Sequence, residues 1–184
     1  MNEIKKLDRI LIANRGEIAI RVLRAAAELN IRTIAIYTYE DRYSLHRYKA
    51  DEAYQIGAED DPLKPYLDIE EIINLAKAKK IDAIHPGYGF LSENVHFAQR
   101  CREEGIIFVG PTPEVMNQLG DKVAAKIIAR RALVPVIEDS KDPLSSVEVA
   151  VKEAARIGYP VIIKAAGGGG GRGMRVCHDE ATLM

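Results

Sequence analysis

Arg9-Ile10-Leu11-Ile12-Ala13, closed by Asn14-Arg15-Gly16, is the stretch on which the fold turns. A short apolar run stopped by turn-forming residues reads as a buried strand. From Glu17 the period changes. Ile18, Val22, Ala25 and Leu29 recur at helical spacing with arginines between them, which predicts an amphipathic helix with those four residues on its apolar stripe. Thr33-Ile34-Ala35-Ile36-Tyr37 is a second β-rich run. Strand, helix and strand within residues 9–37 make a βαβ unit, and so a parallel sheet.

The alternation continues outward. Ala53–Ile56 is a weak strand, and Asp68 with Glu71 forms a capping box that opens a helix carrying Ile69, Ile72, Ile73 and Ala76. Asp82–His85 is a strand closed by Pro86-Gly87, Asn94–Glu104 a helix and Ile106–Val109 a strand. Thr112-Pro113 offers an N-cap and a first-turn proline for a short helix ending near Gly120. Residues 1–116 are therefore expected to form one doubly wound α/β domain with a parallel sheet. A helical linking segment over 117–136 follows, with its helix at Asp121–Arg131. Val134–Ile137 is expected to begin a new strand. Ser145 with Glu148 opens a helix bearing Val147, Val151 and Ala154, and Val161–Ala165 is an apolar strand read as buried. Met174–Cys177 and a helix start at His178-Asp179-Glu180 complete a second, partial domain over 137–184.

Composition narrows the function classes. The chain has 184 residues, 47% of them hydrophobic, too apolar for a disordered segment. No apolar run approaches the ~20 residues that span a bilayer, so no membrane role is expected. Twenty-six basic residues against 27 acidic ones leave no basic excess, which argues against nucleic acid. Cys101 and Cys177 lack metal-ligand or disulfide-framework spacing and read as two free thiols. With an N-terminus that resembles neither a signal nor a transit peptide, the expected compartment is the cytoplasm. No metal ligand is assigned. His46, His96 and His178 have no partner pattern and are expected at the surface.

The sharpest chemical feature is the run Gly167-Gly168-Gly169-Gly170-Gly171-Arg172-Gly173. Each glycine in an ordered element costs roughly 0.5–1 kcal/mol relative to alanine, a heavy cost for a mere turn. Such a run lets backbone N–H groups close over an anion; the competing reading is a flexible hairpin tip. It is no Walker loop, which leads through glycine-lysine-serine/threonine into a helix, because strands flank it on both sides. Lys164, three residues before the run, would aim its ammonium at phosphates beneath the loop, or simply reach solvent from a strand end. Lys122 alone reads as a solvated first-turn residue. His85-Pro86-Gly87-Tyr88-Gly89-Phe90 ends a parallel strand, where α/β sheets place their ligands. His85 there is equally a packed core histidine, and Tyr88 equally a packing residue.

Ile12–Ala19, Ala83–Asn94, Gly120-Asp121-Lys122 and Lys164–Val176, taken in that order, resemble the biotin carboxylase component of biotin-dependent carboxylases. Ser44–Tyr54 is most similar to the pyruvate carboxylase branch. The resemblance implies a pre-ATP-grasp α/β domain followed by the start of an ATP-grasp domain. It also implies an ATP-dependent ligase that carboxylates carrier-bound biotin with bicarbonate through carboxyphosphate, the carboxyl then passing to pyruvate. Implied with it are Mg2+, biotin carrier and carboxyltransferase domains, and a homo-oligomer. By motif match, Lys122 and Lys164 would contact ATP, Gly167 to Gly171 and Gly173 would lie in the lid over its phosphates, and Tyr88 would sit near the biotin ring. The family's magnesium ligands, general base and bicarbonate-holding residues fall beyond Met184, so no catalytic residue is assigned here, and the chain is read as a piece of a longer one. Glu138-Asp139 stands where the family has a proline-glycine turn, which puts the entry to the lid in question. Alternatives are a biotin carboxylase serving acetyl-CoA or propionyl-CoA, and a non-catalytic nucleotide-binding or assembly module. A Rossmann oxidoreductase fares badly, because Asn14-Arg15-Gly16-Glu17 lacks the three-glycine spacing.

Overall fold

The computed structural model describes residues 6–58, 60–120, 122–140, 143–165 and 173–184, with the side chains of 122 and 123 outside the description. The chain forms two compact units, Met1–Gly120 and Asp121–Met184, each described by itself.

The first unit runs β1 (Arg9–Ile12), α1 (Gly16–Glu28), β2 (Arg32–Tyr37), α2 (Leu45–Lys49), β3 (Glu52–Gln55), α3 (Ile69–Ala78), β4 (Ala83–His85), α4 (Val95–Glu103), β5 (Ile107–Phe108) and α5 (Pro113–Gly120). Its five strands pair in parallel in the order β3-β2-β1-β4-β5. Successive strand residues point to opposite faces, and the core divides accordingly. Leu11, Ile34, Ile36 and Ile84 pack with Ile72, Ile73 and Ala76 of α3 and Phe97 and Cys101 of α4. Ile10, Ile12 and Ala83 pack with Ala19, Leu23 and Ala26 of α1. Helices on both faces make the sheet doubly wound, as the alternation of elements predicts.

The stripe predicted for α1 is corrected by one position. Ala19, Leu23 and Ala26 are buried, whereas Leu29 is 70% exposed. The two alanines let the helix lie close against Ile10 and Ile12, and the Ile18–Val22 row falls on the flank. His46 also departs from expectation: it is fully buried, with Nε2 3.2 Å from the Ile36 carbonyl oxygen. The short helix α2 turns this histidine inward and Leu45 outward. The capping box at Asp68 is half formed. Asp68 accepts the Glu71 N–H at 3.0 Å, but the Glu71 carboxylate accepts from Gly57 N–H at 2.8 Å instead of closing back on Asp68. That bond ties α3 to the end of β3.

The second unit contains α6 (Lys122–Arg131), α7 (Val147–Ile157), β6 (Val161–Lys164), β7 (Met174–Cys177) and α8 (Glu180–Leu183). The strand expected at Val134–Ile137 does not form. Pro135 has no N–H to give a ladder, and Leu133 and Ile137 are 90% and 86% exposed. The segment that follows is held by charge. Asp139 accepts from Lys126 and, at 2.7 Å, from Arg130, both on α6. Arg156 of α7 donates to the Asp139 carbonyl at 2.8 Å. The N-cap of α7 is Ser146, accepting from Val149 N–H, and not Ser145. Strands β6 and β7 form an antiparallel hairpin with Lys164 opposite Met174. It is not a buried strand pair, since Ile162 and Val176 are each about half exposed. Among the described residues no helix is long and apolar enough to cross a membrane.

Candidate functional site

In the first unit the strand order reverses between β1 and β4, and a doubly wound sheet opens a crevice outside the carboxyl ends of such strands. Ile12 pairs with His85 there, and the Ala13 N–H donates to the His85 carbonyl at 2.9 Å. Beyond that pair the two strands become loops, and Asn14 joins them. Its side chain is buried. Nδ2 donates to the carbonyl oxygens of Pro86 at 2.7 Å and Tyr88 at 2.8 Å, while Oδ1 accepts from Arg15 N–H at 2.8 Å. A primary amide supplies two donors and an acceptor on one short stem, which no other side chain of this size offers. Gly87 makes the close approach possible. Its φ is +66°, and a Cβ there would stand 2.6 Å from Asn14 Nδ2.

The resulting crevice, about 400 Å³, is lined by residues 14–18 and 88–90. Tyr88 stands at its mouth, 60% exposed, and its hydroxyl donates to Glu17 Oε1 at 2.7 Å. The other Glu17 oxygen accepts from Arg21 Nε at 2.6 Å. The Tyr88 and Arg21 hydrogen bonds hold the Glu17 carboxyl below its usual range, and the same contact pushes the Tyr88 phenol up. His85 faces its own loop, Nδ1 accepting from Gly87 N–H at 3.0 Å; burial holds its imidazole below the ordinary range, so the neutral form is favoured.

Behind the crevice lies a buried charge. Asp41, fixed after β2, accepts from Arg15 Nη2 at 2.6 Å, Ser44 Oγ at 3.0 Å and the Tyr66 hydroxyl at 2.7 Å. The Arg15 guanidinium stands 5.8 Å from the Tyr66 ring centroid, and Tyr66 stacks on Phe90 at 5.1 Å. Burial, then Asp41, pushes the Tyr66 phenol well above its ordinary range. Phe90 is thereby fixed from behind. Sequence spacing does not single out Asn14, Glu17, Asp41 or Tyr66 as site residues. For Asn14 the available signal was its place directly after a strand that ends in the crevice. Asp41 carried none.

In the second unit Lys164 ends β6 with its side chain exposed. Met174 faces it across the hairpin, and at the next position the Ala165 N–H donates to the Gly173 carbonyl at 2.9 Å. Gly173 has φ +71°, and a Cβ there would stand 2.9 Å from the Ala165 Cβ. Lys122 lies in the first turn of α6, its side chain outside the described residues, as are Gly167 to Gly171. Among the described residues no group of three or more His, Cys, Asp or Glu is arranged to hold a metal ion.

Comparison with known proteins places both units. Residues 6–116 match the family described as biotin carboxylase, N-terminal domain. Residues 121–184 match that described as carbamoyl-phosphate synthase L chain, ATP binding domain. The pyruvate carboxylase of Bacillus subtilis (strain 168) is 56% identical over 179 residues, 97% of this chain and 16% of that protein. The mitochondrial pyruvate carboxylase of Homo sapiens is 53% identical over 181 residues, 98% of this chain and 15% of that protein. Among solved structures, the biotin carboxylase domain dimer of Hydrogenobacter thermophilus 2-oxoglutarate carboxylase, in complex with MgADP, ADP and bicarbonate, superposes with a TM-score of 0.89 at 49% identity. The match covers 98% of this chain and 39% of that one. Rhizobium etli pyruvate carboxylase with acetyl coenzyme A gives 0.85 at 52% identity, covering 97% and 16%. The chain thus spans about 16% of the length of the curated relatives it matches.

Proposed function

The chain belongs to the biotin carboxylase family, and from that premise we propose that it forms the N-terminal part of the biotin carboxylase component of a pyruvate carboxylase-like enzyme. ATP would supply the phosphoryl group that activates bicarbonate as carboxyphosphate, and the carboxyl would pass to N1 of a carrier-linked biotin and then to pyruvate. The observation that carries this reading is the presence, in one chain, of a switch-point crevice walled by Tyr88 and of a β-hairpin with Lys164 and Gly173 at its root. The two matched families cover those two features in turn.

In this reading residues 1–116 form the α/β domain, 117–136 a linking segment and 137–184 the opening of the ATP lid. Lys164 ends its strand exposed, so its ammonium is free to meet a phosphate, and the positive φ of Gly173 suits a tight return of the lid strand. Lys122 and Gly167 to Gly171 would complete the ATP contacts. Phosphoryl transfer needs chiefly positioning and charge neutralisation, which lysines and backbone N–H groups supply. Mg2+ would be held outside the described residues of this chain. Tyr88 would face the biotin ring, offering an aromatic wall with one polar tip. Carrier and carboxyltransferase domains and a second copy of the chain would be its partners. Two free, buried thiols support a reducing compartment, the cytoplasm.

The test is made on the complete enzyme. Phosphate release from ATP should require both bicarbonate and biotin, and oxaloacetate should form from pyruvate. Carboxylation of acetyl-CoA or propionyl-CoA in place of pyruvate would reassign the acceptor; nucleotide binding without bicarbonate-dependent turnover would favour an assembly module. Lys164→Ala should raise the KM for ATP, and an unchanged KM would return that lysine to a strand-end role.

A further inference from the structure

We propose that Asn14 and Glu17 are positioning residues that jointly fix Tyr88 at the mouth of the crevice, an inference that rests on reading this crevice as the biotin site. Tyr88 is held at both ends by one turn. Its backbone carbonyl accepts from Asn14 Nδ2 at 2.8 Å, and its hydroxyl donates to Glu17 Oε1 at 2.7 Å. In a nucleotide-binding βαβ unit the first strand-to-helix turn spends its N–H groups and glycines on a phosphate. Here the equivalent turn is committed to its neighbour. The Asn14 amide is used up on Pro86, Tyr88 and Arg15, and Glu17, first in the helix after Gly16, is aimed by Arg21 at the tyrosine tip.

The two holds differ in kind. Asn14 is 3% exposed, so its bonds set the course of the loop backbone. The Glu17–Tyr88 contact lies in solvent, where a hydrogen bond of this type contributes little to folding; what it restricts is rotation of the ring. Phe90, the next aromatic of the loop, needs no such hold, because its ring already rests on buried Tyr66. Loss of Glu17 therefore frees the Tyr88 ring while the loop and the sheet stay in place. Loss of the Asn14 donors frees the loop itself.

The experiment uses the complete enzyme with free biotin as the probe. Glu17→Ala should raise the KM for biotin about three- to ten-fold while the KM for ATP and the thermal midpoint stay put. Glu17→Gln, whose amide oxygen can still accept from the phenol, should recover most of the loss. Tyr88→Phe should match Glu17→Ala, and the double variant should be no worse than either. A biotin KM that does not move, an ATP KM that rises in parallel, or multiplicative effects in the double variant would overturn the proposal.

Hydrogen exchange gives a readout free of activity. Asn14→Asp puts a carboxylate oxygen against two carbonyls and should speed exchange of the amides at 87–90 several-fold, with the β1 and β4 amides unchanged. Unaltered exchange at 87–90 would refute the role of Asn14. If Asn14→Asp does not fold, the Glu17 series decides. If the wild-type enzyme shows no biotin-dependent phosphate release, the biotin reading falls, while exchange still judges the positioning.

Discussion

Asp41→Ala is the perturbation whose cost can be worked most directly from the structure. The Asp41 side chain is 5% exposed and accepts from Arg15, Ser44 and Tyr66. Tyr66 is fully buried, so its stranded hydroxyl costs about 1–3 kcal/mol. The Arg15 side chain is 36% exposed and can turn to water, which limits its share to about 1 kcal/mol. The sum is roughly 2–4 kcal/mol, or a drop of about 5–15 °C in melting temperature for a chain of this size. Seven of the eight tyrosines lie within residues 37–88, so near-ultraviolet circular dichroism reports on the first unit during the melt. The decisive comparison is a double variant. With Tyr66→Phe in place there is no hydroxyl to strand, and Asp41→Ala should then cost about 1–3 kcal/mol less. A drop under about 2 °C for Asp41→Ala, or an equal cost in both backgrounds, would refute the reasoning.

Gly87→Ala should destabilise by about 1–3 kcal/mol, because alanine at φ +66° is strained and its Cβ would meet Asn14 Nδ2 at 2.6 Å; a melting temperature within 1 °C or so of wild type would contradict this. Hydrogen bonds from Tyr54, then Arg32 and Arg9, hold the Glu52 carboxyl down to about 2 against an ordinary 4.5. The folded pKa is depressed, so the stabilisation is present above about 4.5 and is lost as pH falls through about 2. Glu52→Gln should accordingly be less stable than wild type at neutral pH, with the gap closing over that acid window; a pH-independent gap in urea midpoints would exclude the linkage. Burial depresses the His46 imidazole, so unfolded chains bind more protons below about pH 6.5 and stability should fall as pH drops from there. Its Hε1 NMR resonance moving at an ordinary histidine pH would show that the ring is not held neutral. Burial also pushes the Cys101 thiol up to about 12, so a disulfide reagent at pH 8 should label it only after denaturation. Rapid native labelling of Cys101 would contradict its buried position.

What the sequence discloses here depends on how far apart the partners lie. The strand at Arg9–Ile12 and the turn after it are local patterns, and the alternation of elements is enough for the doubly wound sheet. The face of α1 is less local. Its stripe is shifted because two alanines, not the larger apolar residues, sit against Ile10 and Ile12. Val134–Ile137 reads as β-rich, yet a strand needs a ladder partner that no residue within the run supplies. His46 is buried through a helix of only five residues, too short for a period to show. The candidate residues follow the same rule. Tyr88 and the glycines announce themselves by composition. Asn14 acts on carbonyls 72 and 74 residues away, and Asp41 on a hydroxyl 25 residues away. Nothing in the neighbourhood of either residue marks those partners.

The same separations set a clock. The Arg9 N–H at the start of β1 is satisfied by Asp82, 73 residues later in the chain. During synthesis at about 5–20 residues per second, that partner is made roughly 4–15 s after the strand that needs it. Helix α1 and strand β2 arrive sooner and cover the Ile10 and Ile12 face and one edge of β1, but the other edge waits for β4. The centre of the sheet is thus the first part written, yet one of its edges stays open until β4 is made. In the interval that open edge is offered to any chaperone or nascent chain within reach.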